Sequence, residues 1–196
     1  VATKNKKKLE EIKEILKGLN LKLFSLADYP KAPRIIENGK TFRENSIKKA
    51  IKIAKFTGKL TFGEDSGLCV DALGGKPGVY SSRFAGKDKS DRNNNLKLLK
   101  LLVGLLVNKR KAHYCCAVAL ADKNGLVGVA EGECSGFIGF TEKGNFGFGY
   151  DPLFVIPKYK KTFAQLEPRI KHKMSHRFRA LQKAKSILAT YLKRDP

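Results

Sequence analysis

A hydrophobic run ending at Phe62-Gly63 meets two adjacent carboxylates, Glu64-Asp65, and a glycine-rich loop, Gly74-Gly75-Lys76-Pro77-Gly78, follows soon after. This order predicts a short strand, Leu60 to Gly63, that delivers both acids to its end, where α/β proteins build sites. The chain carries 40 Lys and Arg against 18 Asp and Glu, a net charge of +22. A carboxylate pair in such a field is suited to hold a metal ion or to act as a base. The cations around it suit an anionic substrate.

At 196 residues and 42% hydrophobic, the chain can bury a core within one domain, residues 1–196, and full disorder is excluded. No run reaches the ~18 apolar residues that span a bilayer, so no membrane partner is expected. Leu98 to Val107 is interrupted by Lys100 and reads as the buried side of a helix. The chain opens on Val1, and no apolar segment precedes a small-residue cleavage site, so a secreted form is not expected. Cys69, Cys115, Cys116 and Cys134 form no C-x-x-C pair, and Cys115 and Cys116 would face opposite sides of a strand. Free thiols in a reducing compartment, the cytoplasm, are the expectation. The charge invites a nucleic-acid reading, but the lysines are spread without a dense tail, and no specific nucleic acid is expected.

Val1 to Thr3 reads as a strand end. Asn5 to Leu19 reads as a helix with Leu9, Ile12, Ile15, Leu16 and Leu19 on one stripe. Its first turn holds Lys6, Lys7 and Lys8, which reinforce the positive end of the helix dipole and suit a phosphate. Thr41 to Glu44 is a capping box opening a helix to about Gly58, with Ile47, Ala50, Ile51 and Ala54 inward. Ser90-Asp91 starts another helix, with Leu98, Leu99, Leu102 and Leu106 inward. Tyr114 to Ala121 and Leu126 to Phe140 read as a hairpin around Lys123-Asn124-Gly125. Gly144 to Pro152 is a glycine-aromatic loop, and Ser175 caps a last helix with Leu181, Ala184, Leu188 and Tyr191 inward. The order predicts α/β with a mixed sheet.

Familiar signatures fail on inspection. Gly39-Lys40-Thr41 has Arg34 where a phosphate loop needs its first glycine, and Gly147-Phe148-Gly149 meets Pro152 where a dinucleotide fingerprint needs its third. His113, His172 and His176 show no metal-ligand spacing with cysteine. Short polar islands remain between the hydrophobic elements. They are Thr3-Lys4-Asn5 with Lys6 to Lys8, Glu64 to Gly67, Phe148-Gly149-Tyr150-Asp151, Lys171, and Ser175-His176-Arg177.

These islands, with Thr41 to Ala50, Glu64 to Arg83, Gly147 to Pro152 and Ser175 to Leu181, resemble in order and content the inosine triphosphate pyrophosphatase family. The match covers nearly the whole chain. The resemblance implies a mixed, twisted α/β sheet flanked by helices, two lobes with a central substrate cleft, and a homodimer. It implies hydrolysis of purine nucleoside triphosphates such as ITP, dITP and XTP to the monophosphate and pyrophosphate, with Mg²⁺.

By the same resemblance Asp65 is general base and metal ligand, and Glu64, which stands where many members have Asp, is a metal ligand. Thr3, Asn5 and Lys8 belong to a phosphate-binding turn, with Lys4 in place of a frequent glycine and Lys6 and Lys7 beside it. Lys49 would reach the phosphates or the metal-site carboxylates, and Ser66 would donate near the phosphates. Phe148 and Tyr150, with Gly149 between them, would wall the purine, and Asp151 would anchor it. Lys171, His176 and Arg177 would read the base, Arg177 offering only donors to a 6-oxo group. Ile36 stands where many members have the first of two glutamates, and Glu37 is the nearby substitute.

Overall fold

The computed structural model describes residues 1–19 and 21–194. Its α-helices are α1 (Lys6–Leu16), α2 (Phe42–Thr57), α3 (Asp91–Leu101), α4 (Pro168–Lys171) and α5 (His176–Arg194). Its strands are β1 (Thr61–Val70), β2 (Lys111–Asp122), β3 (Gly125–Ile138), β4 (Phe154–Ile156) and β5 (Lys161–Thr162), in one sheet of order β1-β2-β3-β4-β5. The α/β class holds. The β3–β4 and β4–β5 pairings are antiparallel. No described helix is long and apolar enough to cross a membrane.

The chain divides into two compact units, the first made of residues 1–65, 116–132 and 176–196, the second of 66–115 and 133–175. In the first, β2 sorts its side chains by period two. Cys116, Val118 and Leu120 join Ile12, Ile15 and Leu16 of α1 and Ala180, Leu181, Ala184 and Leu188 of α5 in one core cluster. Ala119 and Ala121 join Ala50 and Ala54 of α2 in another. Small side chains on both partners let α2 lie close to the sheet. In the second unit, Leu68, Val70, Leu98, Leu102, Tyr114, Phe154 and Phe163 share a core. There the ring centres of Tyr114 and Phe154 stand 4.8 Å apart and those of Phe154 and Phe163 5.1 Å.

Several boundaries differ from the sequence reading, each for a local reason. Helix α1 ends at Leu16 because Gly18 takes a left-handed conformation (φ 89°). Val1 to Thr3 is not a strand, although Ala2 N donates to Phe62 O at 2.8 Å and Thr3 O accepts from Leu26 N at 3.2 Å. The buried face of α2 includes Asn45, Ser46, Lys49 and Ile53 besides Ala50 and Ala54. The expected Ile47 and Ile51 are only half-buried. At its start Thr41 Oγ1 accepts from Glu44 N, while the Glu44 carboxylate accepts from Lys40 N and not from the cap residue itself.

Two corrections are larger. Strand β1 runs ten residues, so Glu64 and Asp65 lie inside it and not at its end. Buried Leu68 and Val70 give the chain reason to stay extended beyond the acids. Helix α3 stops at Leu101, so Leu106 does not turn inward: Val103 is 78% and Leu106 72% exposed.

Gly63 is where β1 meets α2. A Cβ there would collide with Ser46 O and Ala50 N, backbone atoms that cannot step aside. Gly63→Ala is therefore expected to lower the free energy of unfolding by about 1–3 kcal/mol, read from denaturant unfolding, with faster amide exchange at Ser46 to Ala50.

Candidate active site

In the first unit the acids of β1 are enclosed by cations from three helices. Glu64 is 2% exposed. Its Oε2 accepts from Lys8 Nζ of α1 at 2.8 Å, and its Oε1 from Arg177 Nη2 of α5 at 3.1 Å and from the Cys116 thiol at 3.4 Å. Arg177 Nη1 also donates to Glu11 of α1. Asp65 Oδ1 accepts from Lys49 Nζ of α2 at 2.9 Å, and its Oδ2 from Asn45 Nδ2 at 3.0 Å. Asn45 Oδ1 accepts from Gly39 N at 2.8 Å, which ties the segment before α2 to the same point.

Lys49 uses its three donors on three oxygens: Asp65 Oδ1, Glu64 O at 3.1 Å and Glu37 Oε2 at 3.0 Å. Of its two expected targets, it serves the carboxylates. Ile36 is 66% exposed, and Glu37 is the residue whose carboxylate joins the cluster.

The charges shift accordingly. Burial raises the Asp65 pKa, and the opposing pull of Lys49 and Lys8 does not cancel it. Burial alone would lower Lys49, but Asp65, Glu37 and Glu64 together outweigh it, and the ammonium is held charged. Arg177 behaves likewise: burial opposes its charge, while Glu64 and Glu11 more than compensate. Burial, then Glu64, pushes the Cys116 thiol up, so it stays neutral.

Beside this network the start of α1 has no acid in its first turn. Asn5 Oδ1 accepts from Lys8 N at 3.1 Å, and Thr3 Oγ1 from Asn5 N at 3.1 Å. Lys4, Lys6 and Lys7 are exposed there. The turn thus presents a helix N-terminus with ammonium groups beside it, an anion-binding arrangement.

The second unit gathers a separate group. Asp151 Oδ2 accepts from Lys171 Nζ at 2.6 Å and from Phe148 N at 2.9 Å. Lys171 Nζ lies 5.1 Å from the Phe148 ring centre and 5.6 Å from that of Phe163. Gly149 N donates to Asp91 at 2.8 Å. Phe148 is half-buried, whereas Tyr150 is buried in the core with its hydroxyl donating to Ser81 O at 2.8 Å. Ser66 opens this unit, one residue after Asp65.

Three of the expected site residues make contacts within the protein itself. Tyr150 is a core residue and not a wall, because its ring is packed and its hydroxyl spent. Asp151 pins its own loop and Lys171. Arg177, 1% exposed, pairs with Glu11 and Glu64. His176 is buried at the start of α5, in the first unit, while Lys171 belongs to the second.

Glu11, Asn45 and Cys116 were not singled out as site residues from the sequence, whereas Glu37 was, as the substitute for the acid missing at Ile36. Asn45 lies inside the Thr41 to Ala50 block, and Cys116 alternates with Val118 and Leu120, so strand periodicity could have placed it. Glu11 neighbours Ile12 on the edge of the α1 stripe and gave no signal of its own.

The site's donor set fits a hard divalent cation. Four carboxylates, Glu11, Glu37, Glu64 and Asp65, meet three cations, Lys8, Lys49 and Arg177, leaving one net negative charge. Glu37, Glu64 and Asp65 do not close into a three-ligand nest. A cation here would rest on one or two carboxylates with substrate oxygens and water, the binding habit of Mg²⁺.

A family model described as the Ham1 family matches residues 1–187. A dITP/XTP pyrophosphatase of Desulforamulus reducens is 50% identical over 188 residues, which span 96% of this chain and 94% of that protein. That of Geobacter sulfurreducens is 47% identical over 188 residues, with the same coverage. Among solved structures, a Ham1 protein of Coxiella burnetii superposes with a TM-score of 0.87 at 37% identity and 96% coverage of both chains. The Staphylococcus aureus Ham1 protein gives 0.86 at 36% identity and 97% coverage of both.

Removing Arg177 leaves Glu11 and Glu64 buried without their shared partner. Arg177→Met is expected to cost about 3–5 kcal/mol of stability at neutral pH. Adding Glu11→Gln should recover part of that loss, measured as a coupling free energy in a double-mutant cycle.

Proposed function

This chain belongs to the Ham1 family, and we propose that it hydrolyses non-standard purine nucleoside triphosphates, ITP, dITP and XTP, to the monophosphate and pyrophosphate, clearing them from the nucleotide pool. The observation that carries the reading is the buried Glu64-Asp65 pair, wrapped by Lys8 and Lys49, beside a helix start dressed in lysines. Identity of 50% to a dITP/XTP pyrophosphatase supports the substrate class.

In this reading Asp65 and Glu64 would hold Mg²⁺, which when bound would lend positive charge to the triphosphate oxygens. Asp65 takes a proton from the attacking water. A carboxylate whose pKa is raised by burial is a stronger base than a free one. Lys49 orients it, Asn45 fixes its second oxygen, and Lys8 and Arg177 hold the two oxygens of Glu64 beside it. Within the first unit, Thr3, Asn5, Lys4, Lys6, Lys7 and Lys8 bind phosphate.

The family likeness also supports a homodimeric, cytoplasmic enzyme acting as one domain over residues 1–196. Light scattering coupled to size exclusion tests the dimer, with the mass of a single chain as the contrary result.

The deciding experiment is pyrophosphate release from ITP, dITP, XTP, GTP and ATP at equal concentration, with Mg²⁺ and with chelator. Metal-dependent release from ITP, dITP and XTP, with little from ATP and GTP, is expected. Equal turnover of ATP would refute the substrate class. Asp65→Asn should reduce kcat by at least about 100-fold while circular dichroism is unchanged.

The pH dependence has a defined sign. Because the Asp65 pKa is raised, the acid limb of kcat/KM is expected above the range of a free carboxyl group, with activity lost as pH falls through it. Lys49 pulls that pKa down, so Lys49→Met should move the limb to still higher pH. A limb that stays in place would remove Asp65 as the titrating base.

A further inference from the structure

The second unit holds a group of soft ligands that the carboxylate chemistry does not use. Cys69 on β1 and His113 and Cys115 on β2 each bring one ligand atom to within 4.8 Å of the other two. All three are half-buried, so they are ordered by the fold yet reachable from solvent. No metal-ligand spacing was visible among histidines and cysteines in sequence, because the spacing is built across strands. His113 and Cys115 stand two apart on β2 and share a face, and Cys69 comes from the neighbouring strand. Cys116, one residue on, points the other way into the first unit's core.

We propose that Cys69, His113 and Cys115 bind one thiophilic d¹⁰ cation, Zn²⁺, through two thiolates and one imidazole, with solvent in the fourth position. Two sulfurs and a nitrogen at this spacing match the three-protein-ligand form of a tetrahedral zinc centre. They are poor ligands for Mg²⁺, which takes oxygen. Asp71 Oδ1 lies 3.6 Å from His113 Nδ1, a carboxylate beside the imidazole as at many metal-bound histidines. The hydrogen bond with Cys115, helped by His113 and opposed by burial, brings the Cys69 thiol down to about 7. Binding releases to solvent the protons that the two thiols still carry and leaves a group of zero net charge. The ion would clip β1 to β2 within this unit. This site does not depend on the pyrophosphatase reading.

The test uses the unmodified chain, reduced and freed of metal, dialysed against Zn²⁺ in the presence of excess Mg²⁺. One Zn²⁺ per chain is expected. Bound zinc should protect Cys69 and Cys115 from alkylation, as read by peptide mapping. Replacing zinc by Co²⁺ should give thiolate-to-metal charge-transfer absorption of a tetrahedral site. Cys69→Ser and Cys115→Ser should abolish stoichiometric binding, and Cys134→Ser should retain it. Four results would each overturn the proposal. These are no retained zinc, displacement by Mg²⁺, equal alkylation of both thiols with and without zinc, and binding that survives Cys69→Ser together with His113→Ala. Because alkylation is read on the natural sequence, misfolding of a variant cannot decide the matter.

Discussion

Glu64 sits in the interior of a strand, almost out of reach of water, and must keep its charge there. An isolated buried carboxylate would cost several kcal/mol or simply take up a proton. Here Lys8 and Arg177 grip its two oxygens, and Arg177 in turn needs Glu11. Much of the first unit follows from that requirement. Helices α1 and α5 have to supply the counter-charges at the level of β1, and their apolar stripes, Ile12 to Leu16 and Ala180 to Leu188, hold them there.

Asp65, next in line, makes the opposite demand and receives its partners from α2. Extended backbone sends neighbouring side chains to opposite faces, so a pair of adjacent acids can be served by two different sets of helices. The alanines of α2 and Gly63 then bring that helix close enough for Lys49 and Asn45 to reach. The contacts of the candidate site and the packing of α2 on β1 are thus one set.

Much of this was legible in the chain. Helix α2 was marked at both ends by Thr41 and Gly58, and the hairpin of β2 and β3 by its alternation and turn. The acids were conspicuous because they interrupt apolar sequence. What the sequence concealed was long-range. Arg177 looks like a free donor when read alone, and only the fold reveals two glutamates waiting for it. Tyr150 looks like an open aromatic beside glycines until its hydroxyl finds Ser81. The apolar run after Leu98 has helical composition, but Gly104 takes φ 78° and the helix has already ended, leaving Val103 and Leu106 outside. Residues 69, 113 and 115 reveal nothing in one dimension, since a strand pairing brings them together.

The first unit is assembled from three separated stretches of chain, and the one that holds α5 is made after the other two. Glu64 precedes Arg177 by 113 residues, and Glu11 precedes it by 166. During synthesis both acids emerge from the ribosome long before the guanidinium that neutralises them. Until α5 arrives, the growing chain has to leave them in water or protonated, so the charged core cannot close early. A nascent polypeptide halted before Arg177 would carry its second unit's sequence whole while lacking the cation its first unit needs. For this protein, synthesis of α5 is itself a folding step.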